Sequence, residues 1–117
     1  MPYVDGFVLP VPKARLDAYK DMAKLGEQVW REHGARDYVE CLADDVPYGE
    51  LTSFPRAVQA KDDEVVVFSW VVYDDRAHRD AVMAKVMADE RMKPDENMPF
   101  DGKRMIFGGF APFIGLR

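Results

Sequence analysis

The chain has 117 residues, of which 48% are hydrophobic and 32% charged, and its one cysteine, Cys41, excludes an intramolecular disulfide. This length fits one domain covering residues 1–117. A formal net charge of -5 disfavours a nucleic-acid partner, because such proteins neutralise phosphates with basic side chains. The sequence has no apolar run long enough to span a membrane and no signal-peptide pattern at its start. We therefore expect a cytoplasmic protein that does not enter a membrane.

The first half of the chain has the pattern of a strand, a helix and a second strand. Residues 3–11 and 36–44 are β-like, and residues 13–33 have a helical period. Pro12 precedes the helix, and Gly34 stands where a left-handed C-cap is expected. The stripe predicted to face a sheet consists of Leu16, Tyr19, Ala23, Gly26 and Trp30. Because glycine weakens a helix, we expect the backbone at its position in this stripe to approach the sheet closely.

The second half repeats this plan. Residues 65–73 predict a strand, residues 75–89 a helix that Asp74 or Asp75 can cap, and residues 103–111 a closing strand. The repeated unit predicts an α+β sandwich of the ferredoxin-like kind. Between the two units, residues 54–60 alternate in a β-like way, which predicts an extra hairpin strand.

The strand at residues 65–72 also predicts an assembly. Ser69 is its only polar residue, so both of its faces require cover. Two helices can shield only one face of the sheet. A second copy of the chain, packed sheet to sheet, is the economical cover for the other face, so we expect a homodimer.

Several segments resemble one known family over nearly the whole chain. They are Tyr3-Val-Asp-Gly-Phe, Glu40-Cys-Leu-Ala-Asp-Asp-Val-Pro-Tyr-Gly, Leu51-Thr-Ser-Phe-Pro-Arg-Ala-Val, Phe68-Ser-Trp, Pro99-Phe-Asp-Gly-Lys-Arg-Met and Gly108-Gly-Phe. In these segments the chain resembles the YbaA-like family of bacterial proteins, a domain of unknown function. The family is similar to the dimeric α/β-barrel superfamily, in which two ferredoxin-like sheets close into one barrel. The resemblance implies a dimer and a pocket, and it implies no particular reaction.

Two carboxylates lie in strands that are otherwise rich in apolar residues, Asp5 and Glu40. On a face that a partner sheet buries, a carboxylate must be paired or have a raised pKa. Each is therefore a candidate proton acceptor or ligand anchor in the barrel. The alternatives are a structural pair with Arg104 or an edge position that faces water. Trp70 is a candidate pocket residue, although aromatic residues in strands commonly belong to a core or an interface.

Basic residues crowd the first turn of the second helix, where the helix dipole is already positive. There Arg76, His78 and Arg79 suggest a site for a carboxylate or phosphate. The alternative is local pairing, because Asp75 and Arg79 stand four residues apart, as do Arg76 and Asp80.

Other polar features predict structure rather than chemistry. The acidic residues Asp44, Asp45 and Glu50 fit a chain reversal, and their spacing lacks the ligand pattern of a calcium loop. Cys41 lies in a β run, which predicts a buried thiol. In the last strand, Gly108-Gly predicts a bulge or a close approach. We predict no metal site and no tightly held cofactor, and neither histidine is placed for haem.

Two hypotheses for function remain open at this point. The first is a small homodimer that binds a small organic molecule, an anion being one candidate, with catalysis without a tightly held cofactor left open. The second is a binding or stress-associated structural protein without catalysis. Convergence of Asp5, Glu40, His78 and Arg104 on one apolar cavity would favour the first hypothesis.

Overall fold

The computed structural model describes residues 1–115. Its strands are β1 Tyr3–Pro12, β2 Asp37–Leu42, β3 Glu64–Tyr73 and β4 Ile106–Phe110. Its helices are α1 Leu16–Glu32, α2 Phe54–Ala57 and α3 Arg76–Ala88, and short 3-10 turns lie at Lys13–Arg15, Glu90–Met92 and Gly102–Arg104. No helix in the described part of the chain is both long and apolar enough to cross a membrane.

The strands form one antiparallel sheet in the order β2-β3-β1-β4. β1 and β3 pair along their whole length in the centre, so β2 and β4 are the edge strands. The two strand-helix-strand units interleave in this order, which is the ferredoxin-like α+β arrangement. The predicted fold class is confirmed, and β4 is shorter than predicted because a 3-10 turn occupies Gly102–Arg104.

The end of α1 and the start of α3 lie at the predicted signals, whereas α1 begins at Leu16, after a 3-10 turn at Lys13–Arg15. Gly34 has a φ of 114° just after α1, and the N-H of Ala35 donates to the Trp30 carbonyl at 2.9 Å. This is the left-handed C-cap that the sequence predicts. At the start of α3, the Asp75 carboxylate accepts the backbone N-H of His78 at 2.7 Å. It thereby satisfies one of the unpaired donors of the first turn.

Both long helices lie on the same face of the sheet, which we call the helix face. Alternation along the strands sends Val71 and Tyr73 of β3 to this face, where they pack with Val29 of α1 and Val82 of α3. A second cluster continues the core toward the other end of the sheet and contains Leu9, Val11, Tyr19 and Val67. These side chains are almost fully buried, so apolar packing on the helix face holds the layers together.

The opposite face, which we call the open face, is only partly covered. At one end Val58 packs on Val8 and Val66, and Phe54 packs against Phe68, while no long helix of the described chain covers the rest of the face. Phe68 is 42% exposed there and Ile106 46%. An apolar surface of this kind typically marks an interaction site.

The predicted extra hairpin strand is wrong, because Phe54–Ala57 forms the short helix α2. Ser53 caps this helix by accepting the backbone N-H of Arg56 at 3.2 Å, and Pro55 lies in its first turn, where its missing N-H costs nothing. Gln59 ends the turn with a φ of 51°. The capping chemistry therefore outweighs the weak alternation on which the strand was predicted.

Trp30 is predicted to anchor the core, and the structure places it against the main cluster, where its Nε1 donates to the Tyr73 hydroxyl at 3.3 Å. We expect Trp30→Ala to lower the free energy of unfolding by about 3–5 kcal/mol, since it removes a large packed ring. Trp30→Phe, which keeps a ring, should cost much less. Urea unfolding of both variants measures this, and equal midpoints for Trp30→Ala and the parent would contradict the assignment.

Candidate functional site

Glu40 lies at the base of a cleft between α1 and the edge strand β2. Its side chain projects to the helix face, where each carboxylate oxygen accepts one tyrosine hydroxyl. The Tyr19 hydroxyl donates to Oε1, and the Tyr38 hydroxyl donates to Oε2 at 2.7 Å. Neither donor carries a charge. Glu40 is therefore a partly buried carboxylate held by two neutral hydrogen bonds rather than by a cation.

The two tyrosines are fixed as donors. Burial, together with the adjacent Glu40 carboxylate, raises the pKa of both Tyr19 and Tyr38 well above the usual range. Both phenols therefore stay protonated at neutral pH. A Cβ at Gly26 would lie 2.7 Å from the Tyr38 hydroxyl, so glycine in α1 makes room for this group. The predicted close approach of the helix at this position is confirmed.

The cleft itself has a volume of about 420 Å³. Its walls are largely apolar and include Ala23 of α1 and Leu42 of β2, while its outer part carries Lys20, Lys24 and Glu27. The volume lies within the range of small-molecule sites, which combine apolar walls with a few polar groups. Chemically, this arrangement offers a strong hydrogen-bond acceptor at the base and charged groups at the mouth.

Asp5 is occupied by an internal partner. Its side chain is 6% exposed and also projects to the helix face, where the Arg79 guanidinium contacts both carboxylate oxygens at 2.9–3.1 Å. This hydrogen bonding raises the pKa of Arg79 above its usual range. The expected pair between Asp5 and Arg104 is therefore wrong, as is the position of Asp5 on the face that a partner sheet would cover.

Gly109 explains how Arg79 reaches Asp5. The two strands β1 and β4 place Gly109 directly opposite Asp5. A Cβ at Gly109 would collide with the Tyr3 ring and would lie 2.8 Å from an Arg79 nitrogen. The pairing of β1 with β4 is regular through this region, so the glycine marks a close approach of side chains and not a bulge.

Arg104 binds Glu64 instead of either predicted carboxylate. Two parallel hydrogen bonds of 2.7 Å join the guanidinium to Glu64, and the Arg104 Nε donates to Asp101 at 3.0 Å. The guanidinium also lowers the pKa of Glu64. This bidentate pair connects the turn before β4 to the start of β3. It lies apart from Glu40, so Asp5, Glu40, His78 and Arg104 do not converge on one cavity, and the observation that would have favoured a binding pocket built from all four is not met.

His78 and its basic neighbours are held by the acidic residues around them. The His78 Nδ1 accepts the backbone N-H of Asp74 at 2.9 Å, and the Arg76 guanidinium donates to Asp80 at 3.2 Å. The predicted pairing of Arg76 with Asp80 is therefore confirmed. Arg79, which was expected to bind Asp75 or an anion, is held by Asp5. Local and long-range ion pairs thus account for the crowded cations of this turn.

Trp70 lies on the open face, away from every other candidate. It borders a groove of about 670 Å³ whose lining contains no charged residue among those described. The rings of Phe68 and Trp70 pack edge to face, with ring centroids 5.7 Å apart. Cys41 is exposed rather than buried as predicted, because it lies on the edge strand β2. Within residues 1–115, no three acidic, histidine or cysteine side chains are placed to hold a metal ion.

Sequence reasoning missed the roles of three side chains, Tyr19 and Tyr38 as hydrogen-bond donors to Glu40 and Glu64 as the partner of Arg104. A signal for the cleft was present, since Tyr38 and Glu40 stand two residues apart and must share one face of a strand. Tyr19 was assigned only to the packing stripe of α1. Its hydroxyl contact with Glu40 depends on the position of the helix on the sheet, which the stripe does not determine.

The Asp5–Arg79 pair gives a direct test of this description. We expect Arg79→Ala to lower the free energy of unfolding by about 3–5 kcal/mol, because it leaves a buried carboxylate without its cation. Arg76→Ala is the matched control and should cost no more than about 0.5 kcal/mol, since the Arg76–Asp80 pair is exposed. Chemical denaturation of both variants at neutral pH measures the difference. Similar small losses in the two would show that Asp5 does not depend on Arg79.

Comparisons with solved structures agree with the fold. The structure of Rv0793 from Mycobacterium tuberculosis superposes with a TM-score of 0.62 at 12% sequence identity, covering 100% of both chains. A structure described as a dimeric ferredoxin-like protein from an uncultured marine organism superposes with a TM-score of 0.57 at 12% identity, covering 99% of this chain and 100% of that one. At such low identity these likenesses establish the fold alone.

Comparisons of sequence give the family. The uncharacterized protein YbaA of Escherichia coli strain K12 is 52% identical over 115 residues, which are 97% of this chain and 98% of that protein. The YbaA protein of Shigella flexneri matches to the same extent. A family model described as a protein of unknown function, DUF1428, matches residues 2–102. The chain therefore belongs to the DUF1428 family, as its sequence motifs indicated.

Proposed function

We propose that this protein is a homodimer whose copies pack their open sheet faces together, and that each copy binds a small organic molecule in the cleft beside Glu40. The dimer supplies the cover that the open face lacks, and the cleft remains accessible from the helix side. The proposal assigns binding and no reaction. Location in the cytoplasm and the lack of a nucleic-acid partner stay predictions from the sequence.

The character of the open face supports the dimer. Its groove is lined by apolar residues from β1, β3 and β4, and Phe68, Ile106 and Phe110 are between 42% and 64% exposed. Two copies that each carry a net charge of -5 repel one another, and this groove, whose described lining contains no charged residue, is where they can approach at least electrostatic cost. One structural neighbour with the same sheet is described as dimeric.

The observation that carries the binding proposal is the state of Glu40. The other predicted carboxylate, Asp5, is neutralised by an arginine, and so is Glu64. Glu40 alone of these three borders a cleft and is held by uncharged hydroxyls. Its negative charge is therefore still available to a ligand, and it favours a molecule that brings an amine or another hydrogen-bond donor.

The apolar walls define the rest of the ligand. Ala23, Leu42 and Val67 offer apolar contact beside Glu40. A small amine with an apolar or aromatic body matches this combination. The anionic ligand considered from the sequence is disfavoured at this place, because Glu40 would repel it. The same holds around Arg79, where Asp5 and Asp80 already occupy the guanidinium.

The dimer is tested by placing a charge on the open face. We expect Ile106→Asp to fold as a monomer, since this side chain is exposed in the isolated chain and becomes buried only on association. An unpaired buried charge costs several kcal/mol, enough to dissociate the dimer at micromolar concentration. Sedimentation of the parent and the variant measures this. Met87→Asp, an exposed apolar position on α3, is the control and should stay dimeric. A parent protein that sediments as a monomer would rule out the assembly.

Binding at the cleft is tested with benzylamine, which joins an aromatic ring to an ammonium group. In nitrogen-proton NMR spectra we expect titration to shift the amide signals of residues 19–24 and 38–42, and Glu40→Gln to weaken this response at least tenfold. Glu27→Gln, a carboxylate at the cleft mouth, should weaken it much less. Benzyl alcohol has the same ring with a hydroxyl in place of the ammonium group, so it tests whether binding requires the positive charge. Shifts confined to the open face, or unchanged by Glu40→Gln, would contradict the proposed site.

A further inference from the structure

Two glycines lie side by side at the floor of the open groove. Gly6 of β1 and Gly108 of β4 are direct cross-strand partners, and alternation places both on the open face. Trp70 is the partner of Gly6 on the other side, in β3. The two missing side chains therefore leave a low point in the groove, bordered by Trp70 and by the ring of Phe110, which reaches to within contact distance of both Cβ positions. We call Gly6 and Gly108 the glycine floor.

The fold of one chain does not require glycine at either position. Within residues 1–115, a Cβ at Gly6 would meet the Phe110 ring alone, at 3.8 Å, and a Cβ at Gly108 would meet the same ring at 3.6 Å. Both are ordinary van der Waals distances, and neither residue has a positive φ. Gly26 and Gly109 differ, since a Cβ there would collide with packed side chains. Glycine inside a strand is also unfavourable relative to alanine. The space above the glycine floor is thus the feature that these two residues provide.

The same face carries a projecting ring close to this depression. Phe68 of β3 is the partner of Val8, which stands two residues from Gly6 on β1. Its ring packs edge to face with Phe54 at 5.8 Å and with Trp70 at 5.7 Å between centroids. These contacts hold the ring in place, although it is 42% exposed. Seating such a ring in a partner therefore loses little side-chain entropy.

A two-fold interface requires that a projection on one copy meets a depression on the other, twice. The open face has both features within one surface. We propose that Phe68 of each copy seats on the glycine floor of the other copy, which fixes how the two sheets align. This inference rests on the homodimer of the proposed function and adds the contact that specifies it. The glycines are then explained by the partner's ring, which a Cβ at either position would displace.

The test is a double-mutant cycle on the dimer dissociation constant, measured by sedimentation over a concentration series. We expect Gly6→Ala and Gly108→Ala each to raise the dissociation constant about tenfold, since an added methyl overpacks a filled interface. Phe68→Ala should raise it as well. When Phe68→Ala is already present, adding Gly108→Ala should change the constant by less than twofold, because the ring that the methyl would displace is gone. Gly102→Ala is the matched glycine control, since a Cβ there meets nothing within 4 Å.

Different results would contradict the contact between Phe68 and the glycine floor and the homodimer on which it rests. Circular dichroism of dilute samples checks that each variant keeps the parent fold, and Phe68→Leu provides a second, milder removal of the ring. If the glycine variants dimerise as the parent does, Phe68 does not pack on the glycine floor, although the homodimer itself still stands. Effects of Gly108→Ala that are equal with and without Phe68 would also overturn this contact. A monomeric parent would instead remove the proposed assembly.

Discussion

Two helices can cover only one face of a four-stranded sheet, and this limit determines the remaining features of the molecule. The units β1-α1-β2 and β3-α3-β4 interleave in antiparallel directions, and crossovers of the same hand then place both helices on one side. The covered side buries Val29, Tyr73 and Val82. The other side keeps an apolar surface that water does not favour. Association of two copies is the consequence that we propose from this constraint.

The distribution of charged side chains also differs between the covered face and the open face of the sheet. Three polar side chains of the sheet, Asp5, Glu40 and Ser69, project toward the helices, and the described lining of the open groove contains no charged residue. Asp5 receives its cation from Arg79 of α3. Among the described residues, Glu40 accepts side-chain hydrogen bonds from two tyrosine hydroxyls, one of them from Tyr19 of α1, and it pairs with no cation. This difference between two similar carboxylates separates a structural ion pair from a candidate binding group.

The sequence predicts where the helices and strands begin and end better than it predicts which face of the sheet a strand residue occupies. Helix ends at Gly34 and Asp75 follow from local capping chemistry, which acts within a few residues and can be read directly. The face to which Asp5 points could not be predicted, because Val4 and Gly6 on one side and Phe7 on the other leave no polar alternation in β1. The Asp5–Arg79 pair joins residues 74 positions apart, and only the packed fold brings them together. The strand predicted near Phe54 failed because Ser53 and Pro55 favour the start of a helix.

The central claim is that a second copy covers the open face, and Trp70 can report on it directly. Of the two tryptophans, Trp30 lies against the helix-face core, so Trp30→Phe leaves Trp70 as the only one. Acrylamide quenching of its fluorescence should be weak in this variant at concentrations where it is dimeric. Quenching should become strong when Ile106→Asp is added and the protein is monomeric. Equal and strong quenching of Trp70 in a sedimenting dimer would show that the copies associate elsewhere, and it would contradict the account.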